Sequence, residues 1–180
     1  MINNKAGSTI NSQELFEQQQ QTVTPRAPII IATDLQTPAN IGSIYRIADA
    51  MAVKKIIFVQ KELNDFSKNK TIIRTSRNTS SIIKTEYWTH EKFDTDYQSL
   101  PELIALELTT NATDLLKAKL PKPCSFIIGS ERYGIPDNIL QKCSSAVKIP
   151  MYGNNGSMNV SHALAICLYE WHGQHTNKGE

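Results

Sequence analysis

The sequence predicts an α/β fold, in which a parallel sheet carries helices on both faces and forms a single domain. The main observation is that short apolar runs, suited to buried strands, alternate with segments whose apolar residues recur at helical spacing. A length of 180 residues suits one domain with a sizeable core. A hydrophobic content of 40% indicates a globular chain rather than a disordered one.

The first half begins with a polar segment, residues 1–28, which is rich in Asn, Ser, Thr and Gln and predicts a flexible tail. Ser12 is suited to cap a short helix within it, over 12–20. An apolar run at 29–32 then starts the folded domain, which we expect to extend to residue 175. The remaining predicted elements of this half are a helix over 40–52 and strands over 55–59 and 82–88.

The second half continues the alternation. Pro136 suits the first position of a short helix, because the N–H that proline lacks is not needed there. The last predicted helix carries an apolar stripe that includes Leu164, Leu168 and Trp171. The predicted elements of this half are strands over 103–106, 125–128 and 146–149, helices over 113–117, 136–142 and 159–173, and a tail over 176–180.

Composition excludes several classes of protein. No apolar run approaches the roughly 20 residues that span a bilayer, so we expect no membrane contact. The N-terminal segment lacks the charged start and apolar centre of a secretory signal. The three cysteines form no CxxC pair and do not cluster with the four histidines, which predicts free thiols in the cytoplasm and no metal site. The net charge of +2 does not by itself indicate a nucleic-acid partner.

The loop after the first strand argues against a dinucleotide-binding fold. Residues 33–38 contain no GxGxxG, and the chain has no GxxxxGK[ST] motif, so the usual phosphate-cradling turns are missing. Glycines stand instead after the late strands, at 129, 134, 153 and 156. Because backbone that approaches a ligand closely needs glycine, we expect loops of the C-terminal half to build the ligand site.

Three motifs, spread along the chain, carry a family resemblance. They are Asn-Ile-Gly-Ser-Ile-Tyr-Arg at 40–46, Gly-Ser-Glu-Arg-Tyr-Gly-Ile-Pro at 129–136, and Ile-Pro-Met, a glycine-rich turn and Ser-Met-Asn-Val-Ser over 149–161. In this order and spacing they resemble the motifs of the SpoU (TrmH-like) RNA ribose 2′-O-methyltransferases of the SPOUT class. The resemblance covers about residues 28–173.

The resemblance implies a fold, a reaction and partners. It implies a C-terminal trefoil knot and a homodimer. The apolar stripe of the last helix could face a partner subunit or be buried within one subunit. It implies S-adenosyl-L-methionine as cofactor and the ribose 2′-OH of a structured RNA as acceptor, with tRNA as the first expectation and rRNA as the second. Only RNA offers a 2′-OH, which agrees with that acceptor.

The first motif lies at the start of the predicted helix over 40–52. Gly42 and Arg46 are four residues apart, so they share one side of the helix, where Gly42 leaves room for Arg46 to reach a substrate. Asn40 suits the helix cap. Arg46 could instead pair with Asp49 or remain a solvated surface residue. The resemblance implies that Asn40 and Arg46 belong to the active site, with Arg46 near the 2′-OH, either as the base that accepts its proton or as a group that fixes geometry and charge.

The second and third motifs supply further candidate catalytic residues. Gly129 ends a strand and lets a ligand lie against the backbone, and Glu131 follows at the sheet edge where α/β proteins bind ligands. Glu131 could also cap the next turn or pair with Arg132 or Lys142. Ser157 and Asn159 are suited to cap the last helix. The resemblance implies that Glu131, Ser157 and Asn159 are active-site residues. His162, one turn further on, is a weaker candidate for the base.

The resemblance also implies that the cofactor is gripped by loops after three strands, with Leu108, Gly129, Ile149 and Met158 as contacts. Met158 stands where the family usually has Leu, which conserves volume. Between Asp65 and Glu86 the chain carries five basic residues and no acid. They either track RNA phosphates or form a solvated loop. These residues are Lys68, Lys70, Arg74, Arg77 and Lys84.

Two rival functions compete with methyl transfer. The first is a knotted RNA-binding module without catalysis, which the presence of Arg46, Glu131 and Asn159 disfavours. The second is an unrelated nucleotide-dependent α/β enzyme, which the missing glycine-rich first turn disfavours.

Overall fold

The computed structural model describes residues 27–176 and contains one continuous sheet of seven parallel strands, in the order β3-β2-β1-β6-β4-β7-β5. The predicted parallel sheet is therefore confirmed. The strands are β1 (Ile29–Thr33), β2 (Lys55–Gln60), β3 (Thr85–Thr89), β4 (Leu103–Leu106), β5 (Thr113–Asp114), β6 (Ser125–Ile128) and β7 (Ser145–Lys148).

Helices cover both faces of the sheet, as the alternating pattern predicts. They are α1 (Pro38–Ala50), α2 (Lys70–Ser76), α3 (His90–Asp96), α4 (Asp137–Leu140) and α5 (Val160–Thr176). Short 3₁₀ turns occupy Phe66–Lys68, Thr79–Ser81, Tyr97–Ser99 and Leu115–Lys117. The predicted tail and the possible helix over 12–20 lie outside the described residues, apart from residues 27 and 28, and so does the segment after 176.

Alternating strand residues divide the core into two layers. Ile30 and Phe58 face α1 and α5, where they pack with Ile44 and Leu168. Their neighbours in sequence face the other way, where Ile31 packs with residues of α3 and α4. Because successive side chains of a strand point to opposite faces, buried strands of this kind read as continuous apolar runs.

The apolar stripe of α5 is buried within the subunit. Leu164, Cys167, Leu168 and Trp171 are fully inaccessible to solvent, and the Trp171 indole Nε1 donates a hydrogen bond of 2.9 Å to the Pro121 carbonyl oxygen. The sequence left open whether this stripe faces a partner or the same chain. The structure shows that it faces the same chain.

One predicted helix is not observed, and two observed helices were not predicted. The helix predicted over 113–117 is a two-residue strand followed by a 3₁₀ turn, because the strand pairs with β7 and leaves too few residues for a helix. Helices α2 and α3 were not predicted. Each is a single short segment capped by a side chain. At the start of α2 the side-chain Oδ1 of Asn69 accepts from the Thr71 and Ile72 amides. At the start of α3 Thr89 Oγ1 accepts from the Lys92 amide. Within residues 27–176 no helix is long and apolar enough to cross a membrane.

Candidate active site

A cavity of about 480 Å³ lies at the carboxyl edge of the sheet. The loops that follow β4, β6 and β7 form its walls, and the start of α5 closes it. Ligands of parallel α/β proteins bind at this edge, because the loops after the strands converge there. The expectation that late loops build a site therefore agrees with the position of this cavity.

Most of the candidate residues line this one cavity. They come from positions as distant as 108 and 159, and the fold brings them together through the order of the central strands. The candidates that line it are Leu108, Gly129, Glu131, Ile149, Ser157, Met158 and Asn159. Asn40 and Arg46 are not among the lining residues.

A chain of hydrogen bonds joins the three motifs. The Asn159 amide Nδ2 donates to Asn40 Oδ1 at 2.8 Å, and Asn40 Nδ2 donates to Glu131 Oε1 at 2.6 Å. Asn159 Oδ1 in turn accepts from the Ser161 amide at 2.9 Å and from its hydroxyl at 2.6 Å. Asn40 thus uses both ends of its amide, and it connects the second motif to the third.

Asn40 does not cap α1, which corrects the prediction from its residue type. The helix begins two residues earlier, at Pro38, with Thr37 in the cap position and no side-chain bond to the free amides. Proline is favoured there because its fixed φ suits the helix and its missing N–H is not needed. Asn40 therefore lies in the first turn, where its nearly buried side chain points to Glu131 and Asn159.

Asn159 caps the last helix, as its residue type predicts. It stands immediately before α5, and its side-chain Oδ1 accepts from the backbone amide of Ser161, the second helical residue, which is the usual capping bond. Its amide nitrogen is left over for Asn40. Ser157 lines the cavity and is exposed, whereas His162 is exposed and not among the lining residues.

The Glu131 carboxylate is held in its charged form. Partial burial alone would raise the pKa of Glu131, because it disfavours charge, but hydrogen bonding outweighs that effect. The bond from Asn40 leads these contributions, so the pKa of Glu131 lies below its usual value of 4.5. The cation predicted as an alternative partner, Lys142, instead pairs with Asp94 at 2.6 Å.

Gly42 permits close packing between two helices, which corrects its predicted role. A Cβ at Gly42 would lie 1.8 Å from Thr75 Oγ1 and 3.0 Å from the Ile72 carbonyl oxygen, so α2 fills the space that we expected to serve Arg46. Arg46 lies one turn further along α1, beside α2, and is exposed. Within the part of the chain that the structure describes, the Arg46 guanidinium forms no ion pair, with Asp49 or with any other acid.

The turn after β6 explains two glycines of the second motif. Ser130 and Gly134 exchange backbone hydrogen bonds, and the returning chain passes directly over Gly129. A Cβ on Gly129 would lie 2.0 Å from the Gly134 carbonyl carbon and 2.2 Å from the Ile135 nitrogen. Gly129 lines the cavity, but the returning backbone, not a ligand, takes the space of its missing side chain. Gly134 has φ +67°, which favours glycine.

Glu107 is a cavity residue that the sequence reading missed. Its Oε1 accepts from the Leu108 amide at 2.9 Å, and its Oε2 accepts from the Ile135 amide at 3.0 Å. One carboxylate therefore ties the loop after β4 to the loop after β6. Its position directly after a buried parallel strand was the available signal, because residues there point into the ligand-binding edge.

The five basic residues between Asp65 and Glu86 are all exposed. Lys68 ends a 3₁₀ turn, Lys70 and Arg74 lie on α2, and Arg77 follows α2 in the left-handed conformation. Because α2 packs across Gly42 of α1, it carries Lys70 and Arg74 on the helix that neighbours Arg46. Lys84 differs from the others in that it lies 3.7 Å from Glu86, in an ion pair.

Known proteins resemble this chain in sequence and in fold. A tRNA (guanosine(18)-2′-O)-methyltransferase of Aquifex aeolicus is 27% identical over 173 residues, covering 92% of this chain and 76% of its own. A Staphylococcus haemolyticus protein, provisionally assigned as a TrmH family tRNA/rRNA methyltransferase, is 28% identical over 86% of this chain. The AdoMet-bound structure of an rRNA methyltransferase from Sinorhizobium meliloti superposes with a TM-score of 0.75 at 24% identity, covering 83% of this chain and 57% of that one.

The chain spans 62% of the length of the Staphylococcus relative. The model of the SpoU rRNA Methylase family matches residues 27–169, which include all three motifs and the whole cavity wall up to α5. The chain therefore belongs to the SpoU rRNA Methylase family.

Proposed function

We propose that this protein transfers a methyl group from S-adenosyl-L-methionine to the ribose 2′-OH of a structured RNA. The observation that carries the proposal is the hydrogen-bonded chain from Glu131 through Asn40 to Asn159, which unites the three motifs beside a cavity. Membership of the SpoU family and the activity named for the Aquifex relative support this reaction and its 2′-O position.

The cavity fits a cofactor of this size and charge. Its volume of about 480 Å³ lies within the range of small-molecule sites, roughly 300–1,000 Å³. Leu108, Ile149 and Met158 offer apolar contacts, and the carboxylates of Glu107 and Glu131 favour a cationic ligand. These residues and Gly129 would hold S-adenosyl-L-methionine, which when bound supplies an electrophilic methyl group on a sulfonium.

The chain's own residues then position the acceptor. We assign Asn159 and Ser157 to hydrogen bonds with the ribose, Asn40 and Glu131 to fixing Asn159, and Arg46 to the neighbourhood of the 2′-OH and its phosphate. An arginine is a poor proton acceptor, because its guanidinium stays protonated in water at neutral pH. A permanent guanidinium charge instead stabilises the oxygen as it loses its proton and fixes a phosphate next to it.

RNA binding is assigned to the surface beside Arg46. Helix α2 packs against α1 and carries exposed basic residues, so an RNA strand whose ribose reaches the cavity would pass along them. A tRNA is the first choice of acceptor and rRNA the second, and relatives named for tRNA or for tRNA and rRNA together support these two classes of RNA without ranking them.

We further propose that the protein acts as a cytoplasmic homodimer with a C-terminal trefoil knot. Ile166 and Tyr169 are 43% and 73% exposed on the side of α5 that faces away from the core, which suits a partner subunit. The three free cysteines suit a reducing compartment. The convergence of the loops after β4, β6 and β7 on one cavity is compatible with a knotted C-terminal segment.

The experiment combines ligand binding with mapping of the product. Calorimetry should detect S-adenosyl-L-methionine binding, and mass mapping of ribose methylation in total RNA should lose specific signals when the protein is absent. Binding of the cofactor without any change in ribose methylation would contradict the 2′-O proposal. RNA binding without cofactor binding would favour the rival RNA-binding module without catalysis.

A further inference from the structure

A second cavity, of about 720 Å³, lies next to the first along the same sheet edge. The loops after β1, β2 and β6 form it, whereas those after β6, β4 and β7 form the first. Ser130 and Gly134 line both cavities, so a single turn separates them. None of the roles proposed above uses the second cavity.

One wall of the second cavity presents a fixed carboxylate. Asp34 has φ +50°, a left-handed conformation in which Asp is tolerated better than most residues. Its amide donates to the Val59 carbonyl oxygen at 2.9 Å, and both of its carboxylate oxygens lie 3.1 Å from His90 Nε2. A carboxylate has about four lone-pair sites, so His90 leaves capacity for further donors.

Another lining residue of the second cavity, Tyr133, presents an aromatic ring. Tyr133 is 74% exposed, and its amide donates to Ser130 Oγ at 3.2 Å, which fixes the turn that carries it. The Arg132 guanidinium carbon lies 5.1 Å from the centre of the ring. An exposed tyrosine with an arginine above it forms a surface on which a flat base can stack.

The loop after β2 is also organised by a buried side chain. Gln60 is 7% exposed, and its Oε1 accepts from the Asn64 amide at 2.8 Å. This bond ties residues 61–64 to the end of the strand, with Lys61, Glu62 and Asn64 lining the cavity. The second cavity is therefore built by hydrogen bonds on at least three of its sides.

We propose that the second cavity binds a base of the acceptor RNA that carries an imino N–H, namely guanine or uracil. The Asp34 carboxylate accepts from that N–H, and Tyr133 stacks on the base. Adenine and cytosine present a lone pair at the same ring position, which the carboxylate repels, so they offer it only their exocyclic amino group and should bind more weakly. Proteins read unpaired RNA bases through such edge contacts and aromatic stacking. The inference rests on the proposed function, because it makes this base part of the strand whose ribose enters the first cavity.

Mononucleotides test the site without methyl transfer. In amide NMR spectra of the full-length protein, GMP and UMP should shift the signals of Asn64 and Tyr133, whereas AMP and CMP should require at least about tenfold higher concentrations. Comparison of GMP with UMP shows which imino base is preferred. Equal responses to all four nucleotides, or shifts confined to the first cavity, would overturn the proposal.

Asp34→Asn is the matched variant. Asparagine tolerates the left-handed backbone and has nearly the same shape, but it replaces one carboxylate oxygen with a donor. The variant should lose the preference for GMP and UMP while its affinity for S-adenosyl-L-methionine stays the same. An unchanged preference would show that Asp34 does not read the base.

Tyr133 gives an independent check, because an exposed ring contributes little to folding. Tyr133→Ala should weaken RNA binding about tenfold by loss of stacking, whereas Tyr133→Phe should bind as the natural protein does. Equal affinities in both variants would contradict the stacking role. If these tests fail while methyl transfer is intact, only the proposed base site is contradicted. If the protein binds no S-adenosyl-L-methionine, the proposed function itself is contradicted.

Discussion

The Asn159 amide donates a hydrogen bond of 2.8 Å to Asn40 Oδ1, and so connects two residues that are 119 positions apart in the chain. Asn40 Nδ2 in turn donates a hydrogen bond of 2.6 Å to Glu131 Oε1. This arrangement needs a side chain at position 40 that accepts at one end and donates at the other. Asparagine meets both requirements without a charge.

Asn40→Asp should therefore destabilise the protein by about 1–3 kcal/mol at neutral pH, because it removes the donor and sets a second carboxylate against Glu131. Below the pKa of the new acid the proton restores a donor, so the loss should shrink. Urea unfolding of both proteins at pH 7 and pH 4 measures the difference. A penalty that does not change with pH would contradict the like-charge explanation.

The lowered pKa of Glu131 predicts that the stability of the folded protein depends on pH in the acidic range. Its pKa in the folded protein lies below the ordinary value of 4.5, so the unfolded chain binds its proton first as the pH falls. The stability that Glu131 contributes is complete above pH 4.5 and is lost as the pH falls through the lower, folded pKa.

Glu131→Gln retains a carbonyl oxygen that accepts from Asn40 but cannot titrate. Unfolding curves collected below pH 5 should therefore depend less steeply on pH in this variant than in the natural protein. Identical slopes would show that Glu131 has no lowered pKa in the folded state.

Arg46→Ala should reduce methyl transfer about 100-fold or more, because it removes a permanent charge near the reacting oxygen. Affinity for S-adenosyl-L-methionine should be nearly unchanged, since Arg46 does not line the first cavity. Arg46→Lys is the control and should recover only part of the rate, because an ammonium cannot make paired contacts. Full activity in Arg46→Ala, measured as methyl groups transferred to RNA, would remove this mechanism.

Two helical glycines predict opposite responses to the same substitution. Gly42→Ala places a methyl group against Thr75 and should destabilise the protein by roughly 1–3 kcal/mol through overpacking. Gly173→Ala, in α5, meets nothing within 4 Å and should be neutral or stabilising by up to about 1 kcal/mol, because alanine favours helix. Thermal unfolding of both variants checks the pair. Similar destabilisation by both would mean that helix packing at Gly42 is not the cause.

The strands were predictable because the signal is local. Runs such as Ile29–Thr33 and Ser125–Ile128 are buried at every position and almost entirely apolar, as expected for strands that are buried on both faces. Helices α2 and α3 were missed because each has seven residues, too few for a repeated helical pattern, and each depends on a side-chain cap.

The candidate site was predictable through motif resemblance, and less so through physical reasoning about single residues. Residue type suggested that Asn40 caps a helix, but Pro38 had already started that helix. Spacing suggested that Gly42 makes room for Arg46, but α2, a helix from a later part of the sequence, fills the space. Glu107 stands outside the three motifs, and only the tertiary structure places its carboxylate between two loops.

The Glu107 carboxylate accepts two hydrogen bonds, from the amides of Leu108 and Ile135, and these bonds bear on both the affinity for a ligand and the rate at which it enters. These hydrogen bonds link two walls of the first cavity and restrict their relative movement, so a ligand meets a preorganised surface. Less conformational entropy is then lost on association, which favours affinity without added contacts. Entry should be limited by diffusion and desolvation, and not by a slow rearrangement of these loops.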